Sequence, residues 1–309
     1  MTYATGGDIQ ALDYNTFATL ANGMNEIFAD LHAGATTLPD ASYGYGQTPA
    51  LTAVSAGNAV TAAQWTALFQ TMRSSGTHQG TTVVPPLPGS SPNMGDIIEA
   101  YNTPASAITT LIGTLRTNRF NLDAGQSSFV SGTHYPSSGA SWLTSLTYTY
   151  QVDFGSWDNA RYFFNSGGFL GINGAYPSAI TPIQIAWQSV LANMSPLKFT
   201  WNSTTPNIGG GGTLIGFYGL TTAYPVNGIY KKFLGAGYYT TSYIQVDAKL
   251  NAAAGTNGKI DFRISLIDGD PTPDPKVGAI SFWTDTTTAS GVIAYPGSTT
   301  ISAGSFSQV

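Results

Sequence analysis

The chain has 309 residues, of which 42% are hydrophobic and only 9% charged, with a formal net charge of −5 and no cysteine. That apolar content suffices for about two or three cores. The scarcity of clustered Lys and Arg excludes nucleic acid as a partner, and the missing cysteines exclude disulfide frameworks, thiolate metal sites and cysteine nucleophiles.

Charge is uneven as well as scarce. Residues 1–130 hold three cations, Arg73, Arg116 and Arg119, against eight acids. A surface filled with Gly, Ala, Ser, Thr and Asn in place of Lys and Glu is suited to an assembly in which neighbours cover it. The start MTYATGGDIQ lacks the cationic and apolar regions of a signal peptide, and no stretch approaches the roughly 18 apolar residues of a membrane span. The expectation is synthesis in a host cytoplasm with no membrane partner.

The first element is duplicated. GGDIQALDYNTF from Gly6 lies over GNAVTAAQWTAL from Gly57, placing Ile9 on Val60, Ala11 on Ala62, Tyr14 on Trp65 and Phe17 on Leu68. Each copy reads as a glycine turn, a short extended piece and a helix. The first helix carries Tyr14, Phe17, Ala18 and Ala21 on one stripe, continued by Met24 and Phe28. The second carries Trp65, Leu68, Phe69 and Met72 behind a Thr61/Gln64 capping box.

Between the copies stands ASYGYGQ, whose glycines permit tight turns and whose rings offer rigid contact area. Neither Tyr43 nor Tyr45 has a catalytic partner nearby in sequence. The loop reads either as a packing lid or as an interface anchor, and the expectation is that Tyr43 or Tyr45 lies in or beside a subunit contact. The connector TTVVPPLPGSSPNMG follows. A third helix then begins at an N-cap Thr103 with Pro104 in its first turn, and carries Ile108, Leu111, Ile112 and Leu115.

From about residue 129 the apolar period changes from 3.6 to 2. LTYTYQVDF, SYIQVDAKL and KIDFRISL alternate as strands with one buried face, the last two forming a hairpin through AAAGTNG. RYFFNSGGFLGI, LKFTWNS, GTLIGFYGL, GIYKKFLGAGYYTT and AISFWTD bring the total to about eight strands, enough for an antiparallel sandwich. A strand placement for Tyr162, Phe163 and Phe164 sends rings to both faces, one into the core and another toward a neighbouring subunit. TPIQIAWQSVLANM, with Pro182 at the first helical position and Ile183, Ala186, Trp187 and Val190 on one stripe, is a helix crossing the sheet. The fold class is therefore α+β: a duplicated turn-helix unit over 1–80, a proline-rich connector and third helix over 81–128, and a β-sandwich over 129–309.

Catalytic and metal constellations are lacking in the sequence. His32, His78 and His134 are far apart with no second ligand at metal spacing. DGDPTPD offers Asp268, Asp270 and Asp274 but lacks the central glycine and closing glutamate of an EF-hand loop, and reads as a solvated turn. The glutamates are Glu26 and Glu99, both in the helical half. Asp153 and Asp158 are weak ground for a glycosidase dyad, and there is no nucleophile elbow or phosphate-binding loop. The reading is a protein without enzymatic activity or cofactor.

DYNTFATLANGMNEIF, then YGYGQ, then VSAGNAVTAAQWTALFQTMRSSGTHQ is similar to the N-terminal region of virion structural proteins of tailed bacteriophages, including contractile-tailed cyanophages. The resemblance covers about residues 5–80 and, less closely, LRTNRFNL; VDFGSWDNARYFFNSGG looks like the distal part of such proteins. It implies a noncatalytic particle component located in the virion, whose partners are other virion proteins. A place in the tail, baseplate or fibre attachment is favoured over the neck and collar. In such an assembly the residues themselves lead to the expectation of a homo-oligomer, a trimer if fibre-like, with Tyr43, Tyr45, Tyr162 and Phe163 as interface candidates. The alternative is a tail-fibre module whose sandwich binds host-surface glycan.

Overall fold

The computed structural model describes residues 11–19, 23–28, 44–47, 51–83, 105–137, 139, 141–235 and 239–309. The Gly6 turn, Ile9, Ala21, His32, Tyr43, the connector from residue 84, Glu99 and the Thr103–Pro104 cap lie outside the described residues. By its contacts the chain divides into two units. One is Met1–Ser127 with Arg161–Gly167 and Ala289–Pro296; the other is Ser128–Ala160 with Gly168–Thr288 and Gly297–Val309. Two short segments from the second half of the sequence thus belong to the helical unit, where the sequence suggested one contiguous block.

The helical unit contains α1 (Ala11–Ala18), α2 (Asn25–Phe28), α3 (Ala62–Gln79) and α4 (Ala105–Thr117). Its core gathers the apolar stripes of both copies and of the third helix: Tyr14, Phe17, Ala18, Met24, Phe28, Trp65, Leu68, Phe69, Met72, Ile108, Ile112 and Leu115 are all buried. Tyr14 and Trp65, equivalent in the repeat, meet edge to face at 5.8 Å. The capping box is present, Thr61 accepting from the Gln64 amide while the Gln64 side chain takes the Thr61 N–H. At the other end of α3, Gly80 stands at φ +67 and its N–H reaches back to Gly76 and Thr77, a left-handed stop that glycine adopts at little cost. Asn15 clamps the approach to the second copy, donating to the Val54 carbonyl and accepting from the Val54 N–H, both at 2.9 Å.

The first copy departs from one continuous helix. The Met24 N–H bonds to the Phe17 carbonyl at 2.9 Å, seven residues back rather than four, so the chain turns after α1 and resumes as α2. Met24 and Phe28 reach the core by that route.

The second unit holds two antiparallel sheets. The first joins β1 (Ser127–Val130), β10 (Ser281–Ala289), β4 (Phe169–Ala175), β5 (Leu197–Phe199) and β6 (Thr204–Thr205) in that order, with β2 (Tyr135–Pro136) also on β10. The second runs β11 (Thr300–Ile301), β3 (Ser145–Asp153), β9 (Lys259–Ile267), β8 (Tyr243–Leu250) and β7 (Tyr230–Phe233), with β12 (Ser305–Gln308) also on β3. β8 and β9 form the expected hairpin, Tyr243 opposite Ile267 and Leu250 opposite Ile260.

Alternation decides the inner faces. Leu146, Tyr148, Tyr150 and Val152 of β3 and Ile260, Phe262, Ile264 and Leu266 of β9 are buried, while their neighbours point out. Phe282 of β10 stacks on Tyr148 at 5.6 Å, Phe199 of β5 meets Phe262 edge-on at 5.6 Å, and Thr284 donates to the Tyr150 hydroxyl at 2.8 Å. The crossing helix is α6 (Pro182–Met194), entered through a Thr181/Gln184 capping box with Pro182 in its first turn. It buries Ile183, Trp187, Val190, Leu191 and Met194, and Leu191 occupies the space over Gly174 that a side chain on β4 would need.

Two strand expectations are corrected. Tyr162, Phe163 and Phe164 lie on a helix, α5 (Trp157–Asn165), not on a strand. The Ser156 side chain accepts from the Asn159 N–H at 3.1 Å and so starts the helix, and Gly167 at φ +83 follows its end. Ala160, Phe163 and Phe164 then share one buried stripe, where a period-2 reading had separated them. GTLIGFYGL likewise is not a strand. A side-chain carbon on Gly216 would lie 2.4 Å from the Thr200 carbonyl oxygen, and that close passage leaves a short 3-10 turn at Phe217–Gly219.

Candidate functional site

The described part of the aromatic loop, Gly44–Gln47, is hydrogen-bonded to the helical unit at several points. The Tyr45 N–H donates to the Ile27 carbonyl at 2.9 Å and the Gln47 N–H to the Phe28 carbonyl at 3.0 Å, which lays the loop along α2. Asn165 donates to the Gly44 carbonyl at 3.2 Å, and Gln47 donates to the Ala294 carbonyl at 2.6 Å. Tyr45 has no exposed surface. Its ring meets Phe28 at 5.6 Å and His78 at 5.0 Å, both edge to face. Its hydroxyl accepts from Gln79 Nε2 at 2.7 Å, and the same amide nitrogen donates to the Leu115 carbonyl at 2.8 Å. One buried amide thus ties the loop to α4.

Burial raises the Tyr45 phenol well above the usual tyrosine range, and the Gln79 donor only partly offsets it. His78 is fully buried. Burial lowers its pKa to about 4, against a smaller upward pull from its hydrogen bond with the Ser166 carbonyl at 3.0 Å. A carbonyl only accepts, so Nε2 carries the hydrogen, and Nδ1 has no hydrogen-bond partner among the described residues. An imidazole held neutral in this way is a packing and tautomer-locked group. Elsewhere in the helical unit Glu26, 2% exposed, pairs with Arg116 at 3.0 Å.

Of the interface candidates, Tyr43 lies outside the described residues. Tyr45 and Phe163 are both fully buried within their own chain, Phe163 against Phe164 at 4.9 Å and Tyr295 at 5.4 Å. Tyr162 is half-buried, its ring lying on Gly46. The glycine does permit a close approach, but by a ring of the same chain. His78, Gln79 and Asn165 were not singled out as a polar network in the sequence; the pairing depends on a contact between α3, the loop and α5 that no local pattern encodes.

Three ion pairs of the second unit lie on the outer side of the β7–β8–β9–β3 sheet. Lys259 pairs with Asp153 at 3.3 Å, Lys249 with Asp261 at 3.9 Å and Arg263 with Asp247 at 2.9 Å. Tyr224 lies under two of these cations, the Arg263 guanidinium at 4.4 Å and the Lys249 ammonium at 5.0 Å. Asp153 is thereby engaged with a cation, and it also accepts from the Gly155 N–H; Asp158 sits in the first turn of α5. On the outer side of the other sheet, exposed His134 stacks on Trp283 at 3.9 Å and 9°. Asp285 there accepts from the Gly132 N–H and from Asn173, both at 2.9 Å.

DGDPTPD is not the solvated turn that its sequence suggests at its first residue. Asp268 is buried and pairs with Lys276, itself wholly buried. Burial works to raise the Asp268 pKa, and hydrogen bonds from Lys276, Ser242 and the Asp270 N–H outweigh it, leaving the carboxyl below its ordinary value. Among the described residues, no group of three or more His, Cys, Asp or Glu side chains is placed to hold a metal ion, and no helix is long and apolar enough to cross a membrane.

Comparison with family models, with curated proteins and with solved structures gives no match for this chain.

Proposed function

We propose that this chain is a noncatalytic structural component of a tailed-phage virion, acting in the tail, baseplate or fibre attachment through contacts with other virion proteins and with copies of itself. The observation that carries the reading is a surface poor in charge and studded with bare apolar side chains. Val226 is 92% exposed, Ile180 79% and Phe129 63%, on a chain in which 9% of residues are charged. Such side chains gain from burial against a neighbour. The similarity of DYNTF, YGYGQ and the Trp65 helix to phage virion proteins supplies the setting.

Mass spectrometry of purified particles, washed in high salt, tests this directly. The chain is expected at fixed stoichiometry, and light scattering of the purified protein is expected to report an oligomer, a trimer for a fibre-like part. A salt-labile trace in particles together with a monomer in solution would refute the proposal. Incubation with polysaccharide, peptidoglycan and nucleic acid is expected to leave each intact. Turnover lost in Asp153→Asn or Asp158→Asn would replace the structural reading with an enzymatic one.

A second reading has one observation in its favour: the His134–Trp283 stack beside Asn173 and Asp285 combines an aromatic platform with polar groups, the pairing that sugar rings use. Host-glycan binding through this face predicts retention on immobilised glycan that soluble sugar competes away and that Trp283→Ala abolishes. Density for the intact particle distinguishes the tail and baseplate from the neck and collar.

A further inference from the structure

Asp268 and Lys276 bracket the proline-rich segment 269–275, and the backbone pins both ends to the same stretch. The Asp268 N–H donates to the Thr144 carbonyl at 2.8 Å, while Trp142 and Lys276 exchange both backbone bonds, at 3.0 and 3.1 Å. The side chains meet out of water, at 2% and 0% exposure. Lys276 Nζ is packed against Asp268 Oδ2, donates to the Leu143 carbonyl at 2.8 Å and lies 5.1 Å from the centre of the Trp142 ring. The other carboxylate oxygen, Oδ1, accepts from Ser242 Oγ at 2.7 Å and from the Asp270 N–H at 3.0 Å.

This arrangement divides the carboxylate into two unlike halves. Oδ1 faces two fixed donors, the geometry that stabilises negative charge on an oxygen during attack at its carbon. Oδ2 faces the amine. A nucleophile and an acyl carbon held together by the fold need no encounter, which is the largest entropic obstacle to joining them. A buried ion pair, moreover, recovers only part of the hydration that its charges lose, whereas an amide in the same place carries no charge.

We infer that Asp268 and Lys276 condense spontaneously into an intramolecular amide cross-link. A proton passes from the ammonium to Oδ2 within the pair. The neutral Nζ attacks Cγ, the C–N bond forms, and charge gathers on Oδ1 between Ser242 and the Asp270 N–H. A second proton moves from nitrogen to Oδ2, the Cγ–Oδ2 bond breaks, and Oδ2 leaves as water. Ammonium and carboxylate become amide and water, with no oxidant, reductant or outside reactant. Ser242 is a positioning residue that is not consumed. The product staples the loop between β9 and β10, so that a cut anywhere in 269–275 leaves the two pieces joined.

The intact mass of the full chain, measured after folding and then denaturation, reads the outcome. The expected mass is lower than the sequence mass by one water, and proteolysis is expected to yield a branched peptide joining Asp268 to Lys276. Chain kept in denaturant from the start is expected to retain its full mass. Lys276→Arg preserves the cation without forming the amide and is expected to hold its full mass; Ser242→Ala is expected to slow the loss about a hundredfold, as removal of an oxyanion donor does elsewhere. A folded wild-type chain that keeps its full mass overturns the inference and leaves an ion pair only. A water loss that persists in Lys276→Arg, or that mild alkali reverses, is a succinimide at Asp268–Gly269 and also overturns it. Because the bond survives denaturation, the wild-type measurement decides even if a variant fails to fold.

Discussion

The ring of Tyr162 lies directly on Gly46: a Cβ built on that glycine would stand 2.4 Å from the ring's Cγ and Cδ2. Gly46 also has φ +74, in the left-handed region that costs an L-residue roughly 1–2 kcal/mol. Gly46→Ala is therefore expected to destabilise the helical unit by about 2–4 kcal/mol, strain and displacement together. Denaturant midpoints check the size. In a double-mutant cycle, Tyr162→Ala is expected to absorb part of the loss, and strict additivity would show that the ring is not what Gly46 accommodates.

Trp65 is 6% exposed and packs on Tyr14, Phe17 and Phe69 at 5.8, 6.3 and 5.6 Å. Trp65→Ala is expected to cost about 3–5 kcal/mol as a large-to-small core change. Since Tyr14 is its repeat partner and its neighbour, the Tyr14→Ala and Trp65→Ala losses are expected to fall short of their sum when combined. An unchanged melting temperature in Trp65→Ala would overturn the shared core.

An interface anchor at Tyr43 and Tyr45 would let both rings be removed with the helical signal nearly intact. The burial of Tyr45 reverses that expectation: Tyr45→Ala should unfold the helical unit, read as lost helical circular dichroism, because it opens a cavity and strands the Gln79 amide's contact. Tyr45→Phe removes only the acceptor, with an expected cost of about 1 kcal/mol. A folded Tyr45→Ala chain that fails only to assemble would restore the interface role.

His78 makes the helical unit acid-sensitive. Its pKa is about 4 in the folded chain against the ordinary histidine value of 6.5, so below pH 6.5 the unfolded chain binds a proton that the folded chain refuses. Stability is unaffected above pH 6.5, falls as pH drops, and by pH 4 has lost about 3 kcal/mol through this group. Urea unfolding at pH 7 and pH 4.5, compared with His78→Gln, separates the contribution of His78 from that of the carboxylates. Equal acid losses in the two proteins would remove His78 as the cause.

Much was already legible in short stretches of sequence. The Thr61/Gln64 and Thr181/Gln184 caps, the stripe of Trp65, Leu68, Phe69 and Met72, and the alternation of β3, β8 and β9 follow from hydrogen bonds or periods that span a few neighbouring residues, and the structure has each of them. What needed the tertiary structure was everything in which distant segments compete for one space. Tyr162, Phe163 and Phe164 read as a strand until the Ser156 cap and Gly167 set them as a helix, whose Asn165 and the following Ser166 then meet Gly44 and His78. Asp268 looked solvated because its neighbours in sequence are; Lys276, Thr144 and Ser242 reach it from distant segments, which hydrophobic period alone does not encode. The loop around Tyr45 offered two readings of equal local merit. Burial chose between them, because a ring and an amide that find partners across α2, α3 and α4 are worth more inside the unit than on its surface.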